Sequence, residues 1–122
     1  MLTNTSEYAM IKISVTTTSG AVPISDATVT VSYNTVPGMT KVEEEVMKTD
    51  KNGNTGIFRI PIKRAIIGGR QVDFPRRAEC NVEIKAEGYV TTRAKSVHLF
   101  PDVTVISSFD LVPSKLFNKL DA

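Results

Sequence analysis

The clearest pattern in the chain is an alternation of apolar and polar residues between Cys80 and Glu87. A period of two places the apolar side chains on one face of a β-strand and the polar side chains on the other. Gly88 ends this strand, and the ring of Tyr89 is placed to cover the edge of a core while its hydroxyl stays in water. The pattern predicts a strand with one buried face, around which the other strands pair or pack.

Six further segments predict strands from alternation and β-branched content. One begins at Ala9, and the others cover residues 27–33, 41–49, 57–60, 92–99 and 103–111. Segment 41–49 contains three consecutive glutamates, yet its β-branched flanks and its Pro-Gly entry favour an exposed edge strand. In the last segment the alternation slips between Val105 and Ile106, which predicts a β-bulge.

About seven short strands, separated by turn signals such as Asp50–Asn54, predict an all-β fold in the form of an antiparallel sandwich. The length fits one domain, which we place at residues 9–113. Residues 1–8 are polar and predict an N-terminal arm. Residues 114–122 predict a C-terminal arm or short helix that Ser114 caps.

Charge and hydropathy exclude several classes of partner. Fifteen basic residues against thirteen acidic ones leave a net charge of +2, too balanced for a nucleic-acid-binding surface. No apolar run reaches the ~18 residues that span a membrane, so no membrane insertion is expected. The first residues lack the features of a secretory signal. We therefore expect synthesis in the cytoplasm, with a final location in a particle or at the cell or spore surface.

The candidate reactive groups do not form a catalytic or metal-binding pattern. Cys80 is the single cysteine and lies on the apolar side of its strand, which indicates core packing. His98 is the single histidine, too few for a metal site or a Ser-His pair. Asp50–Asn54 begins with the spacing of a calcium loop, but Pro61 stands where the twelfth-position glutamate belongs, so a turn is favoured. No enzyme, metal or cofactor is predicted.

Two segments are the candidate partner-binding sites. The long, irregular stretch 61–78 is basic, and guanidinium groups bind acidic neighbours or anionic polymers through charge-assisted hydrogen bonds. Its basic residues are Lys63, Arg64, Arg70, Arg76 and Arg77. The C-terminal arm carries large apolar residues that pack on this domain or dock on a partner, namely Leu116, Phe117 and Leu120.

Four landmarks occur in order: residues 20–31 (Gly-Ala-Val-Pro-Ile-Ser-Asp-Ala-Thr-Val-Thr-Val), Thr49–Gly53, Ala86–Tyr89 and Leu111–Pro113. Together they resemble the carboxypeptidase regulatory-like family of transthyretin-like, Ig-like sandwiches. The likeness is greatest to the N-terminal module of clostridial spore cortex-lytic and peptidoglycan-binding proteins. The resemblance covers roughly residues 11–113. It implies a non-catalytic accessory, adhesive or assembly module, although insertion 61–78 has no counterpart in the short turn of that family.

The sequence is compatible with two functions. The first is a structural subunit of a bacterial or phage-type particle, bound to homo- or hetero-oligomeric protein partners through its arms and its basic loop. The second is a module that binds peptidoglycan or another cell-wall glycan. Because sugar-binding sandwiches stack aromatic rings on sugars and this chain has no tryptophan, the first is favoured.

Overall fold

A computed structural model describes residues 7–34, 42–62, 66–67, 70–71 and 78–114. The described part holds ten β-strands: β1 (Glu7–Thr17), β2 (Val22–Pro23), β3 (Thr28–Asn34), β4 (Val42–Lys48), β5 (Asn54–Ile62), β6 (Ile66–Ile67), β7 (Arg70–Gln71), β8 (Ala78–Lys85), β9 (Thr92–Leu99) and β10 (Thr104–Leu111). Eight of them form two four-stranded sheets, and β6 pairs with β7 in a small separate ribbon.

Strand β1 is the centre of the first sheet. On one edge it pairs in parallel with β10, from Met10 opposite Thr104 to Thr17 opposite Leu111. On the other edge it pairs antiparallel with β5 and then, at Thr16 and Thr17, with β2. The spatial order is therefore β5, β1, β10. Strand β2 lies on the same side of β1 as β5 and pairs with the end of β1 that β5 does not cover.

The second sheet is antiparallel throughout, in the order β4, β3, β8, β9. Its inner strand β8 is the alternating segment that begins at Cys80. Strand β4 lies at the edge, as the sequence predicts for segment 41–49. A short β-bridge between Tyr89 and Pro113 joins the end of this sheet to the residues after β10.

The core lies between the two sheets. The first sheet contributes Ala9, Ile11, Ile13 and Val15 of β1 together with Phe58 and Ile60 of β5. The second contributes the alternate apolar residues of β3 and β8, including Val29, Val31 and Ile84. Each large apolar side chain buried in this way stabilises the fold by about 1.5–3 kcal/mol. The all-β sandwich predicted from the sequence is confirmed.

The predicted bulge between Val105 and Ile106 is wrong. The register of β10 against β1 is uninterrupted, because Ser107 takes an inward position between Val105 and Phe109. Ile106 faces the solvent instead and is 67% exposed. The alternation therefore slips because an apolar residue occupies the outer face.

Irregular pairing occurs at two other places. The β1–β5 register shifts between Lys12 and Ser14, and the β8–β9 register shifts between Cys80 and Val82. At the second site Ser96 has a φ of 56° and its N–H donates a 3.0 Å hydrogen bond to Asn81 Oδ1. The Asn81 side chain thus satisfies a donor that the shifted ladder leaves without a backbone partner.

The predicted arms 1–8 and 114–122 fall largely outside the described residues, and so does the predicted C-terminal helix. Strand β1 begins at Glu7, two residues before the predicted start at Ala9. Over the described ranges, no helix is long and apolar enough to cross a membrane.

Candidate functional site

Most of the predicted binding residues lie outside the described part of the chain. Of the basic loop, only Arg70 is described, in β7, where it pairs with Ile67 across the small ribbon. The remaining loop residues Lys63, Arg64, Arg76 and Arg77 lie outside the described residues, as do Leu116, Phe117 and Leu120 of the tail. The described candidate surfaces therefore lie on the two sheets.

A groove of about 230 Å³ lies on the outer face of the second sheet. Antiparallel pairing of β3, β8 and β9 brings hydroxyl, amide and charged side chains from distant segments together there. Its polar lining comes from Thr30, Ser32, Glu44, Asn81, Glu83, Arg93 and Lys95. Such a surface offers hydrogen-bond donors and acceptors to a polar partner.

Two of the lining residues, Glu83 and Arg93, form an ion pair. Arg93 Nε donates a hydrogen bond to Glu83 Oε2 at 2.7 Å, and Lys85 Nζ lies 3.5 Å from the other carboxylate oxygen. The Arg93 hydrogen bond, followed by the charge of Lys85, lowers the pKa of Glu83 below its ordinary value. Glu83 is therefore ionised near neutral pH and is unsuited to act as a general acid there.

Strand β4 turns valines outward and carboxylates inward. Val42 and Val46 are 53% and 58% exposed on the outer face, with exposed Glu44 between them. Glu45 points the other way, towards the open edge of the sandwich, where it accepts a 3.3 Å hydrogen bond from the hydroxyl of Tyr33. Burial, and then the charge of Glu45, raise the pKa of Tyr33, so this hydroxyl stays protonated.

The outer face of the first sheet carries a second apolar surface. Lys12 of β1 pairs with Ile57 of β5 on one side and with Ile106 of β10 on the other, so the three side chains form one row. Ile57 is 50% exposed. In the same sheet the Arg59 guanidinium lies 5.8 Å from the centroid of the Tyr8 ring, within the range of a cation–π contact. The surface is apolar and positively charged.

We name these two surfaces by their residues. The valine row consists of Val42, Glu44 and Val46, and the isoleucine row consists of Ile57, Lys12 and Ile106. They lie on the outer faces of opposite sheets. The alternation in segment 41–49 predicts that Val42 and Val46 share one face of the strand, but it does not tell which face is the outer one. The isoleucine row was not predicted, because the slip in alternation at Ile106 suggested a bulge. An apolar residue at a position where the alternation calls for a polar one indicates an exposed apolar surface, and Ile106 is such a residue.

Cys80, His98 and Asp50 are the groups of potential reactivity that the sequence analysis considered. Burial raises the pKa of the Cys80 thiol to about 11, which suppresses its thiolate. His98 Nε2 lies 3.2 Å from Glu79 Oε1 on the exposed side of the β8–β9 pair. Asp50 Oδ1 accepts hydrogen bonds from the backbone N–H groups of Asn52 and Asn54, so Asp50–Asn54 is a turn. Within the described ranges, no three His, Cys, Asp or Glu side chains come together to bind a metal.

No family model matches the chain. No curated protein matches it in sequence. Among solved structures it is similar to 3-chlorocatechol 1,2-dioxygenase from Rhodococcus opacus 1CP, with a TM-score of 0.58 and 12% identity. The match covers 92% of this chain, which spans 63% of the dioxygenase chain. At that identity the likeness shows a common fold and does not carry the activity across.

Proposed function

We propose that the chain is a non-catalytic interaction subunit of a larger bacterial or phage-type particle, such as a tail, baseplate or surface assembly. The observation that carries this proposal is the pair of exposed apolar rows, one on each outer face. Single exposed apolar residues are ordinary, but grouped ones rimmed by polar residues mark protein-binding surfaces. A sandwich with such surfaces on both sides fits a subunit that lies between neighbours.

The basic loop 61–78 and the two arms are further contact regions in this proposal. Their support is the sequence itself: five basic side chains in the loop and three large apolar ones in the tail. The resemblance to carboxypeptidase regulatory-like modules adds an expectation of accessory or assembly roles. Cationic loops and terminal segments of this kind bind partners through charge-assisted hydrogen bonds and docked apolar side chains.

The described ionisable groups support a non-catalytic role. A nucleophile needs a base within hydrogen-bond reach, whereas Cys80 is buried with a raised pKa and His98 faces an exposed glutamate. The similar dioxygenase is an enzyme, but 12% identity supports only a common architecture.

Fractionation of the native host tests this function. The chain, detected by antibody in an extract separated by size, is expected in a high-mass particle together with a fixed set of other proteins. An affinity-tagged copy should recover the same set at a constant ratio. Elution of all of the chain at the mass of a single copy, at native expression level, contradicts the proposal.

A glycan-binding module is the second candidate, and the groove on the second sheet favours it. Hydroxyl, amide and guanidinium groups there match the hydrogen-bonding groups of a sugar chain, although the lining contains no aromatic side chain to stack on a ring. Sedimentation with purified peptidoglycan tests it, with Asn81→Ala and Arg93→Ala as groove variants. Retention that both variants reduce supports this alternative, and recovery of all protein in the supernatant contradicts it.

A further inference from the structure

We propose that copies of this chain stack head to tail, with the valine row of one copy packed on the isoleucine row of the next. This inference rests on the proposed function and specifies one of its partners, a second copy of the chain. Both rows lie in the described part of the chain, and both expose their apolar side chains by half or more.

The two rows match in their order of chemistry. Each has an apolar side chain at either end and a charge at its centre, which is Glu44 in the valine row and Lys12 in the isoleucine row. Within the described residues, neither Glu44 nor Lys12 forms a salt bridge, although the charge of Lys12 also contributes to lowering the pKa of Asp50. Pairing the rows therefore places an acid on a base between two apolar contacts.

The distance between the two apolar side chains is similar in the two rows when the strands of the two copies cross. Val42 and Val46 are four residues apart along one strand, about 13 Å at the usual rise. Ile57 and Ile106 stand on strands either side of β1, about 10 Å apart at the usual strand spacing. The first row runs along its strand and the second runs across three strands. Their strands meet near a right angle when the rows are superposed, as in orthogonal sheet packing.

Charge disfavours the symmetric alternatives. Two valine rows packed together place Glu44 against Glu44, and two isoleucine rows place Lys12 against Lys12. Like charges brought together in this way oppose association. A heterologous contact between unlike surfaces is then preferred, and it produces an open stack or a closed ring rather than a simple dimer. Because the rows lie on opposite outer faces, each copy can engage two neighbours at once.

Charge reversal tests the pairing in the purified full-length chain. By sedimentation velocity, the average mass of the native protein is expected to rise with concentration beyond that of a dimer. Glu44→Lys alone and Lys12→Glu alone should each weaken association by about tenfold or more, since each sets like charges face to face. An equimolar mixture of the two variants should associate again, because every contact in an alternating stack then pairs an acid with a base. The double variant, which carries both Glu44→Lys and Lys12→Glu, should also associate, because each of its contacts again pairs an acid with a base.

Glu87→Lys and Lys51→Glu are the matched controls, because they change net charge equally at exposed turn positions outside both rows. They should leave the association unchanged, and circular dichroism should show that all variants fold. The proposal is overturned if the native chain stays monomeric up to about 1 mM, a limit corresponding to negligible affinity. It is equally overturned if the controls weaken association as much as the row variants do. It is also overturned if mixing Glu44→Lys with Lys12→Glu does not restore association. A monomer that still enters a native particle leaves the proposed function standing and removes only this contact.

Discussion

Thr49 donates a 2.7 Å hydrogen bond to the carbonyl oxygen of Ile24, and the same hydroxyl accepts a 2.9 Å hydrogen bond from the N–H of Ala27. Thr49 is buried at the end of β4, and Ile24 and Ala27 lie in the link that carries the chain from the first sheet to β3. One side chain thus satisfies two backbone groups where the chain crosses between sheets. Buried backbone groups need such partners, so Thr49 holds this crossing in place.

Replacing Thr49 with valine preserves the shape and removes both hydrogen bonds. We expect the free energy of unfolding to fall by about 2 kcal/mol, because two buried backbone groups lose their partner. Urea unfolding followed by circular dichroism measures the change. Thr30→Val, on the outer face of the second sheet, is the matched control. Its free energy of unfolding should lie within about 0.5 kcal/mol of that of the native protein. Equal effects of the two changes would contradict this role of Thr49.

Gly53 is required by both its conformation and its surroundings. Its φ is +80°, and a Cβ atom there would overlap the carbonyl oxygen of Val15 and lie 3.1 Å from the Cβ of Pro23. Gly20 has a similar φ of +87° but open space around it. We expect Gly20→Ala to lower the free energy of unfolding by about 1 kcal/mol, from backbone strain alone. Gly53→Ala should lower it by about 3 kcal/mol, because the overlap adds to the strain. Thermal and urea unfolding of the pair separates the two contributions.

The strands could be predicted because a sheet with one buried and one solvent-exposed face imposes a period of two on every strand, and this period is visible within each strand alone. That signal is local, and it identified the inner strand β8, the edge strand β4 and the turn at Asp50–Asn54. Pairing is not local. The parallel pairing of Met10 with Thr104 joins segments far apart in the chain, and no periodicity within either segment encodes it.

The isoleucine row was beyond prediction for the same reason. Ile57, Lys12 and Ile106 become neighbours only through the registers of three strands. The orientation of β4 also depends on its place in the sheet. At an edge, carboxylates such as Glu45 point inward and still reach water and the Tyr33 hydroxyl, which leaves the valines outside.

Cys80 is expected to be inert in the folded protein. Its side chain is buried and its thiol pKa is raised to about 11, so the reactive thiolate is scarce at pH 8. A thiol-specific chromogenic reagent should react with less than a tenth of the chains within minutes in native buffer, and with one thiol per chain in guanidinium chloride. Rapid stoichiometric labelling of the native protein would show that β8 is accessible and contradict the core position.

Asp50 makes part of the stability depend on pH. Hydrogen bonds from the backbone N–H groups of Asn54 and Asn52 stabilise the carboxylate and lower the pKa of Asp50. Because the folded-state pKa lies below the unfolded one, the contribution is fully present above about pH 4, near the ordinary aspartate value. It is lost as the pH falls further, through the lower folded-state pKa. Denaturant unfolding at pH values from 7 to 2 should show a decline below pH 4 that is shallower in Asp50→Asn.

Glu83 provides the internal comparison for that measurement. Its pKa is also lowered, chiefly by the hydrogen bond from Arg93, so the Asp50→Asn protein should keep the share of the acid-dependent decline that Glu83 contributes. Arg93→Gln should reduce that share, and the two changes should be additive, because the turn at Asp50 and the Arg93 pair have no partner in common. A decline in Asp50→Asn as steep as in the native protein would mean that the turn carboxylate is not linked to folding.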